Sequence, residues 1–403
     1  MVGFGLRYPL QVGQPGDHWY IKEIDLPFGW RGRRVLLVAV AGAHGTDGGF
    51  SISDPLPDQG TQVFDFGFYS AVVAFALNGF LLFFTYSTIA RWIDQRELVP
   101  TWWTGLVAGA GVALIAYATF WGYFFNFYAG LCFSIAVIGT SLAAWVTSPP
   151  ASIKLSEWPK TLALTACLGV FYMALLYLYR DNRDFYDLAS SRLVPNLPGD
   201  NRLPHDISML IYHGLSPKSP GGDWLSSDRP PLECAWQLLT WPITKMFGFA
   251  ETTTSATSAV WLQLLWVPAV YGLLRSFGLN ARRSSYWLGI IGLSGFCFLN
   301  TIYTWPKMSA GAFACGAVYL WIAQSSRPTK SSFVIAGGLA ALALLSHGGV
   351  AFAFIALLPL IVVSLLRFKL SHWPLSAAVF LGCVFKIKSR EGTKMKSECR
   401  NDG

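Results

Sequence analysis

From Phe66 onward the chain alternates apolar runs with short polar turns, and many runs reach the roughly 17 to 25 residues that a bilayer-spanning helix needs. Candidate spans lie near residues 67–90, 102–120, 127–146, 160–178, 258–274, 285–303, 309–325, 332–347, 349–366 and 374–386. Residues 1–65 follow a different rhythm. The runs WYIKEI (19–24), RRVLLVAVAGA (33–43) and GFSISDP (49–55) are short, β-branched or alternating, and bounded by Gly, Pro and Asp, which predicts strands of a small antiparallel sheet. Three or four strands fall short of the roughly seven of a sandwich, so the expectation is the end of a larger β domain. No basic stretch followed by an apolar one opens the chain as a signal peptide would. The sequence reads either as a piece of a longer protein or as one whose first span carries its N-terminus outward.

The fold class this predicts is mainly α, a polytopic transmembrane helix bundle with a small N-terminal β segment and a long extracytoplasmic loop. The β segment occupies 1–65 and a first set of membrane helices 66–179. The loop takes 180–257, a second helical set 258–386, and a polar basic tail 387–403. Residues 233–250, ECAWQLLTWPITKMFGFA, are apolar but short and interrupted by Pro242 and Lys245. They suit a helix lying in the membrane interface, with Trp236 and Trp241 at headgroup level.

Composition agrees with the pattern. Of 403 residues, 53% are hydrophobic and only 13% charged, with mean hydropathy +0.43, where a soluble domain carries about a quarter charged residues. A formal net charge of +8 raises the question of nucleic acid. The basic residues, however, sit between apolar blocks rather than along one stripe, so no nucleic-acid partner is expected and the positive-inside rule accounts for them. Placing residues 1–65 outside collects Arg91 and Arg96, then Lys154 and Lys160, then Arg275, Arg282 and Arg283, then Arg327 and Lys330, then Arg367 and Lys369 on the inside. The outer turns near Asn126, Asn300 to Pro306 and Gly348 are nearly uncharged, Lys307 excepted. The tail does not fit, since it would emerge outside while carrying six Lys and Arg from Lys386 to Arg400. Cys132, Cys167, Cys297, Cys315 and Cys383 fall in apolar blocks, and the sequence holds no CxxC or Cys/His cluster, so neither a disulfide framework nor a thiolate metal site is expected.

Essentially no Asp, Glu, Lys or Arg lies inside the candidate spans, which argues against a proton-coupled pump and moves the chemistry to the loop. Its first cluster, RDNRDFYDLA from Arg180, spaces Asp181, Asp184 and Asp187 three residues apart, so a continuing helix would present them together just above the membrane. A carboxylate there can accept a proton from an acceptor hydroxyl or hold a divalent cation. Its plain alternative is a solvated helix end. The second cluster, PGDNRLPHD at 198–206, holds Asp200, His205 and Asp206 among turn formers and matches no metal-ligand spacing. The third, GGDWLSSDRPPLE at 221–233, sets Trp224, Asp228 and Arg229 ahead of the rigid Pro230–Pro231 pair. Arg is suited to bidentate grip of a phosphate, and Asp228 to orienting it or binding a metal. Equally, Ser227 or Asp228 caps a helix that Pro230 or Pro231 begins and Leu232 continues.

The order of spans, a long outer loop opening with Asp184 and Phe185, then DNRLPHD, then WLSSDRPPL, resembles bacterial polytopic membrane proteins of the GT-C glycosyltransferase type. That resemblance covers about residues 66–385 and rests on the loop motifs. It implies a multi-pass protein of the bacterial inner membrane that uses a polyprenyl-phosphate-linked sugar, a glycan or lipid acceptor and an essential acid in an extracytoplasmic loop. In the family the catalytic loop follows the first span, whereas four candidate spans precede it here. On this reading Asp184, then Asp187, is the catalytic base. Arg229 and Lys307 stabilise the lipid-phosphate leaving group, Asp228 orients Arg229 or a cation, His205 belongs to the substrate-binding set, and Trp224, Tyr303 and Trp305 border the sugar. The rival is a non-enzymatic membrane protein, a lipid-glycan flippase or an envelope-assembly subunit.

Overall fold

The computed structural model describes residues 67–147, 157–178, 183–192, 197–215, 217, 230–322, 330–367, 374 and 376–380. The chain divides into two units, Met1–Asp58 and Gln59–Gly403, and all described residues belong to the second. The expected β segment, the basic tail, and the loop residues Trp224, Asp228 and Arg229 lie outside the described residues. Among the described residues the regular structure is helical.

The first four spans form where the apolar runs predict them: α1 (Gly67–Gln95), α2 (Thr104–Phe125), α3 (Phe127–Thr147) and α4 (Trp158–Leu176). The expected span at 258–274 is longer, because α8 (Glu251–Gln263) and α9 (Trp266–Ser276) together make one span, Glu251–Ser276. The expected span at 285–303 is broken into α10 (Ala281–Gly292) and α11 (Gly295–Ile302), bent by 73°. The break has a local cause: Ser294 has extended backbone and its hydroxyl accepts from the Cys297 N–H at 3.3 Å, so it starts a new helix instead of continuing the old one.

The remaining runs give α12 (Lys307–Ile322), α13 (Lys330–Ser346) and α14 (Val350–Arg367). The described parts of α12 and α13 are 16 and 17 residues long, and both border residues 323–329, which lie outside the described residues. Among the described residues five helices are long and apolar enough to cross a membrane, or six if the bent pair counts as one, against the ten runs read from the whole sequence. The run at 374–386 falls almost wholly outside the described residues.

Helix α2 is the hub, packing against α1, α3, α4, α9, α12 and α13. Its Ala108, Ala110, Ala113 and Ala116 are buried, and small side chains let the neighbouring backbones approach. By contrast α3 buries only Gly130, Ser134 and Ile138, a single stripe at four-residue spacing, and turns the rest of its apolar surface outward.

Each end of the bundle has its own closure. At one end Glu157, just before α4, holds Arg275 of α9 through two 2.9 Å contacts and accepts from Tyr271 Oη at 2.7 Å, while the Arg275 guanidinium lies over Trp102. At the opposite end Phe68 of α1 meets Tyr177 after α4. The loops that meet through Glu157 and Arg275 are ones the charge pattern assigned to a common side.

Candidate functional site

The polar insertion between α4 and α8 folds into α5 (Phe185–Ser191), a 3-10 turn (Gly199–Arg202), α6 (Leu203–Tyr212) and α7 (Leu232–Met246). Asp184 starts α5: its Oδ1 accepts from the Tyr186 N–H at 2.8 Å, filling one of the orphan donors of the first turn. That short helix buries Phe185, Tyr186, Leu188 and Ala189, which anchor it to the bundle. Asp187 points to solvent and lies 3.8 Å from Arg202 of the turn. The helical continuation expected to bring Asp181, Asp184 and Asp187 onto one face is replaced by this new helix start at Asp184, and Asp181 lies outside the described residues.

Helix α6 begins with Pro204 in its first turn, where no N–H is needed. Its His205 is buried: Nδ1 sits 3.0 Å from Ser255 Oγ, and the ring stacks on Trp241 of α7 at 5.5 Å and 7°. Tyr186 lies on the other side of the ring system at 5.9 Å. Trp241 stacks in turn with Tyr212, over which the Lys245 ammonium sits at 5.2 Å, paired at 2.6 Å with Glu251. Burial, and secondarily the nearby Arg202, pushes the His205 imidazole down to about 3, so it is neutral at any physiological pH. His205 thus positions α6 against α7 and α8 with no solvent-facing edge. Its neighbour Asp206 is half-buried, and loss of water raises its carboxyl to about 6 against the opposing pull of Arg202.

Helix α7 departs from the sequence expectation. An interfacial helix keeps one face to lipid or water, but 12 of its 15 residues are buried and it packs against α1, α2, α3, α6, α8 and α13. Only Lys245 and Met246 at its end are exposed. Three hydrogen bonds to Asn78 or from it explain the insertion. Thr240 donates to Asn78 Oδ1 at 2.6 Å, and Asn78, twelfth residue of α1, donates to Thr254 O and Thr257 Oγ1 at 3.1 Å each. Asn78 therefore binds the α7–α8 hairpin at the middle of the first span.

The insertion also reaches the α11–α12 connection, where the Tyr303 hydroxyl donates to Pro198 O. Tyr303 stacks with Trp305 at 6.0 Å and the exposed Lys307 ammonium rests over the Trp305 ring at 5.4 Å. Between the two rings Thr304 holds φ +54°, a strained value for a β-branched residue, with its hydroxyl buried and unpartnered. The fold thus ties Tyr303, Trp305 and Lys307 to the segment that carries Asp187 and Arg202.

Glu233, Gln237 and Tyr186 were not singled out by the sequence. Glu233 is buried with neither oxygen hydrogen-bonded, and burial drives its carboxyl well above the usual range. Tyr186 Oη is buried and unpartnered, and its hydroxyl is raised by desolvation first and then by Glu233, Asp184 and Asp206, opposed by Arg202. The available signal was the Glu233/Gln237 spacing of four directly after Pro230–Pro231 and Leu232. Among the described residues no three His, Cys, Asp or Glu side chains are grouped to hold a metal ion. No family model, curated protein or solved structure matches the chain.

Proposed function

We propose that the chain is a membrane glycosyltransferase that moves a sugar from a polyprenyl-phosphate donor to an extracytoplasmic glycan or lipid acceptor in a bacterial inner membrane. The observation that carries this reading is that the insertion bearing Asp184 and Asp187 is bonded to the Tyr303–Lys307 connection, where the Tyr303 hydroxyl donates to Pro198 O. The donor class comes from the resemblance of the loop motifs. In this scheme Asp184, or next Asp187, takes the proton of the acceptor hydroxyl as its oxygen bonds to the anomeric carbon. The bond from that carbon to the phosphate oxygen breaks, and the lipid phosphate leaves with the electron pair. Arg229 and Lys307 stabilise that phosphate, Asp228 orients Arg229, and Trp224, Tyr303 and Trp305 border the sugar. His205 contributes by fixing α6.

The test is transfer from radiolabelled polyprenyl-phosphate sugars by the purified protein. Asp184→Asn keeps an equally good helix cap, so the variant folds and inserts while losing transfer. Full transfer by both Asp184→Asn and Asp187→Asn sinks the assignment of the base. Intact donor with wild-type protein favours the rival reading, a flippase or assembly subunit.

A further inference from the structure

Arg91 lies near the end of α1 and Trp145 near the end of α3, two helices long and apolar enough to cross a membrane. The two run side by side. Thr85 donates to Ser141 Oγ at 3.1 Å and Thr88 to Ser141 O at 3.4 Å, and one turn further the Arg91 guanidinium sits 5.7 Å from the centre of the Trp145 ring. Edge contacts with Phe83 and Phe84, at 5.9 and 5.6 Å, hold that indole in place. Tyr86 of α1 meets Trp158 beside Glu157, so the pair belongs to the end of the bundle that Glu157 and Arg275 close.

Among the described residues no carboxylate pairs with Arg91. Asp94, one turn on, accepts from Thr104 Oγ1 at 2.5 Å instead, and Glu157 is bound to Arg275. The Nε of Arg91 and the Nε1 of Trp145 are both shielded from solvent without a hydrogen-bond partner. An Arg that merely escapes the hydrocarbon extends its head straight into water. This one is laid back over an indole of another helix, with Nε dry and the rest of the side chain only partly exposed.

A guanidinium uses its face for the aromatic ring and keeps its in-plane N–H donors for oxygen, in the fork that matches a phosphate. The place is open to the surroundings, since Trp92 beside Arg91 is 51% exposed and Val146 beside Trp145 is 67% exposed. Those apolar neighbours and the position near two helix ends put the donors at headgroup level, where Trp is favoured. What meets them there is an oxyanion carried on a hydrocarbon tail. A zwitterionic headgroup brings its own ammonium to its phosphate, whereas a cation with no carboxylate is better neutralised by a headgroup of net negative charge. We infer that Arg91 and Trp145 form a site for the phosphate of an anionic phospholipid in the leaflet at this end of the bundle.

The experiment adds phosphatidylglycerol, phosphatidylcholine with the same acyl chains, or inorganic phosphate to the purified chain in neutral detergent and reads the melting temperature. Native mass spectrometry in the cold counts the lipid retained, which decides the case of a variant that melts early. Phosphatidylglycerol is expected to stabilise wild type more than phosphatidylcholine and to stay bound through delipidation. Arg91→Gln should weaken its apparent affinity about tenfold or more, the worth of a hydrogen bond to a charged group. Trp145→Leu should weaken it in the same direction, while the double variant Arg282→Gln, Arg283→Gln, which removes exposed charge from the start of α10, should match wild type. Equal effects of the two lipids on wild type, a preference kept by Arg91→Gln, or an equal loss in the double variant overturns the inference. Stabilisation by inorganic phosphate as large as that by phosphatidylglycerol overturns the lipid assignment.

Discussion

His205 Nδ1 lies 3.0 Å from Ser255 Oγ while its ring stacks on Trp241 at 5.5 Å, so a single imidazole joins α6, α7 and α8. Replacing it with Ala removes the stack, the hydrogen bond and buried volume together, and is expected to destabilise the protein by roughly 2–4 kcal/mol. The pH dependence has a definite sign. The folded imidazole titrates at about 3 and the unfolded one at 6.5, so the unfolded chain binds the extra proton between those values. This residue's contribution is fully present above pH 6.5 and is lost as pH falls toward 3, at up to about 1.4 kcal/mol per unit. In thermal melts from pH 4 to 8, His205→Gln should lie below wild type by a constant offset above pH 6.5, and the gap should close as pH falls, because only wild type loses the histidine's contribution.

Asp206 behaves in the opposite sense. Its folded carboxyl is raised from 3.8 to about 6, so its contribution to stability is present below pH 3.8 and lost as pH rises through about 6. If it shares the proton-accepting role in transfer, the rate should rise with pH around a midpoint near 6, since only the carboxylate accepts. Asp206→Asn should remove that limb from the pH–rate profile while leaving melting unimpaired at pH 7.

Glu157 and Arg275 close one end of the bundle through a bidentate pair that is largely shielded from solvent, with Tyr271 and Trp102 completing the contact. Glu157→Gln leaves the guanidinium half-paired, and a cost of about 2–4 kcal/mol is expected after allowing for partial exposure. Arg275→Lys loses the fork but keeps the charge, and should cost about half as much. Melting in detergent reads both, and Asp184-dependent transfer should be unaffected at low temperature.

Gly79 sits under Trp261, where a Cβ would come within 2.3 Å of the indole ring. That ring is held on two counts, stacked on Phe75 at 4.5 Å and donating to Phe75 O at 2.8 Å. It cannot step aside without losing both, so Gly79→Ala should destabilise by about 1–3 kcal/mol. Gly289→Ala, where a Cβ meets nothing within 4 Å, is the control and should melt like wild type.

Hydrophobic pattern and run length determined that this chain is a helical bundle with helices long and apolar enough to cross a membrane, and they located α1 to α4 and the polar insertion after α4. These features were legible because lipid offers the backbone no hydrogen bonds, which forces long apolar helices that any reader of the chain can see. The start of the insertion was not legible in this way: a continuing helix was expected through Asp184, whereas Asp184 caps a new one by accepting from the Tyr186 N–H. What only tertiary structure decided was depth. Residues 233–250 carry an interfacial composition, yet Thr240 and Asn78, 162 positions apart, draw the helix inside the bundle. The same long-range packing sank Glu233 and His205 beyond the reach of water. Local pattern records whether a side chain prefers company or water. Which company it keeps is set by chain segments far away in sequence, and the burial of Tyr186, Glu233 and Gln237 follows from that.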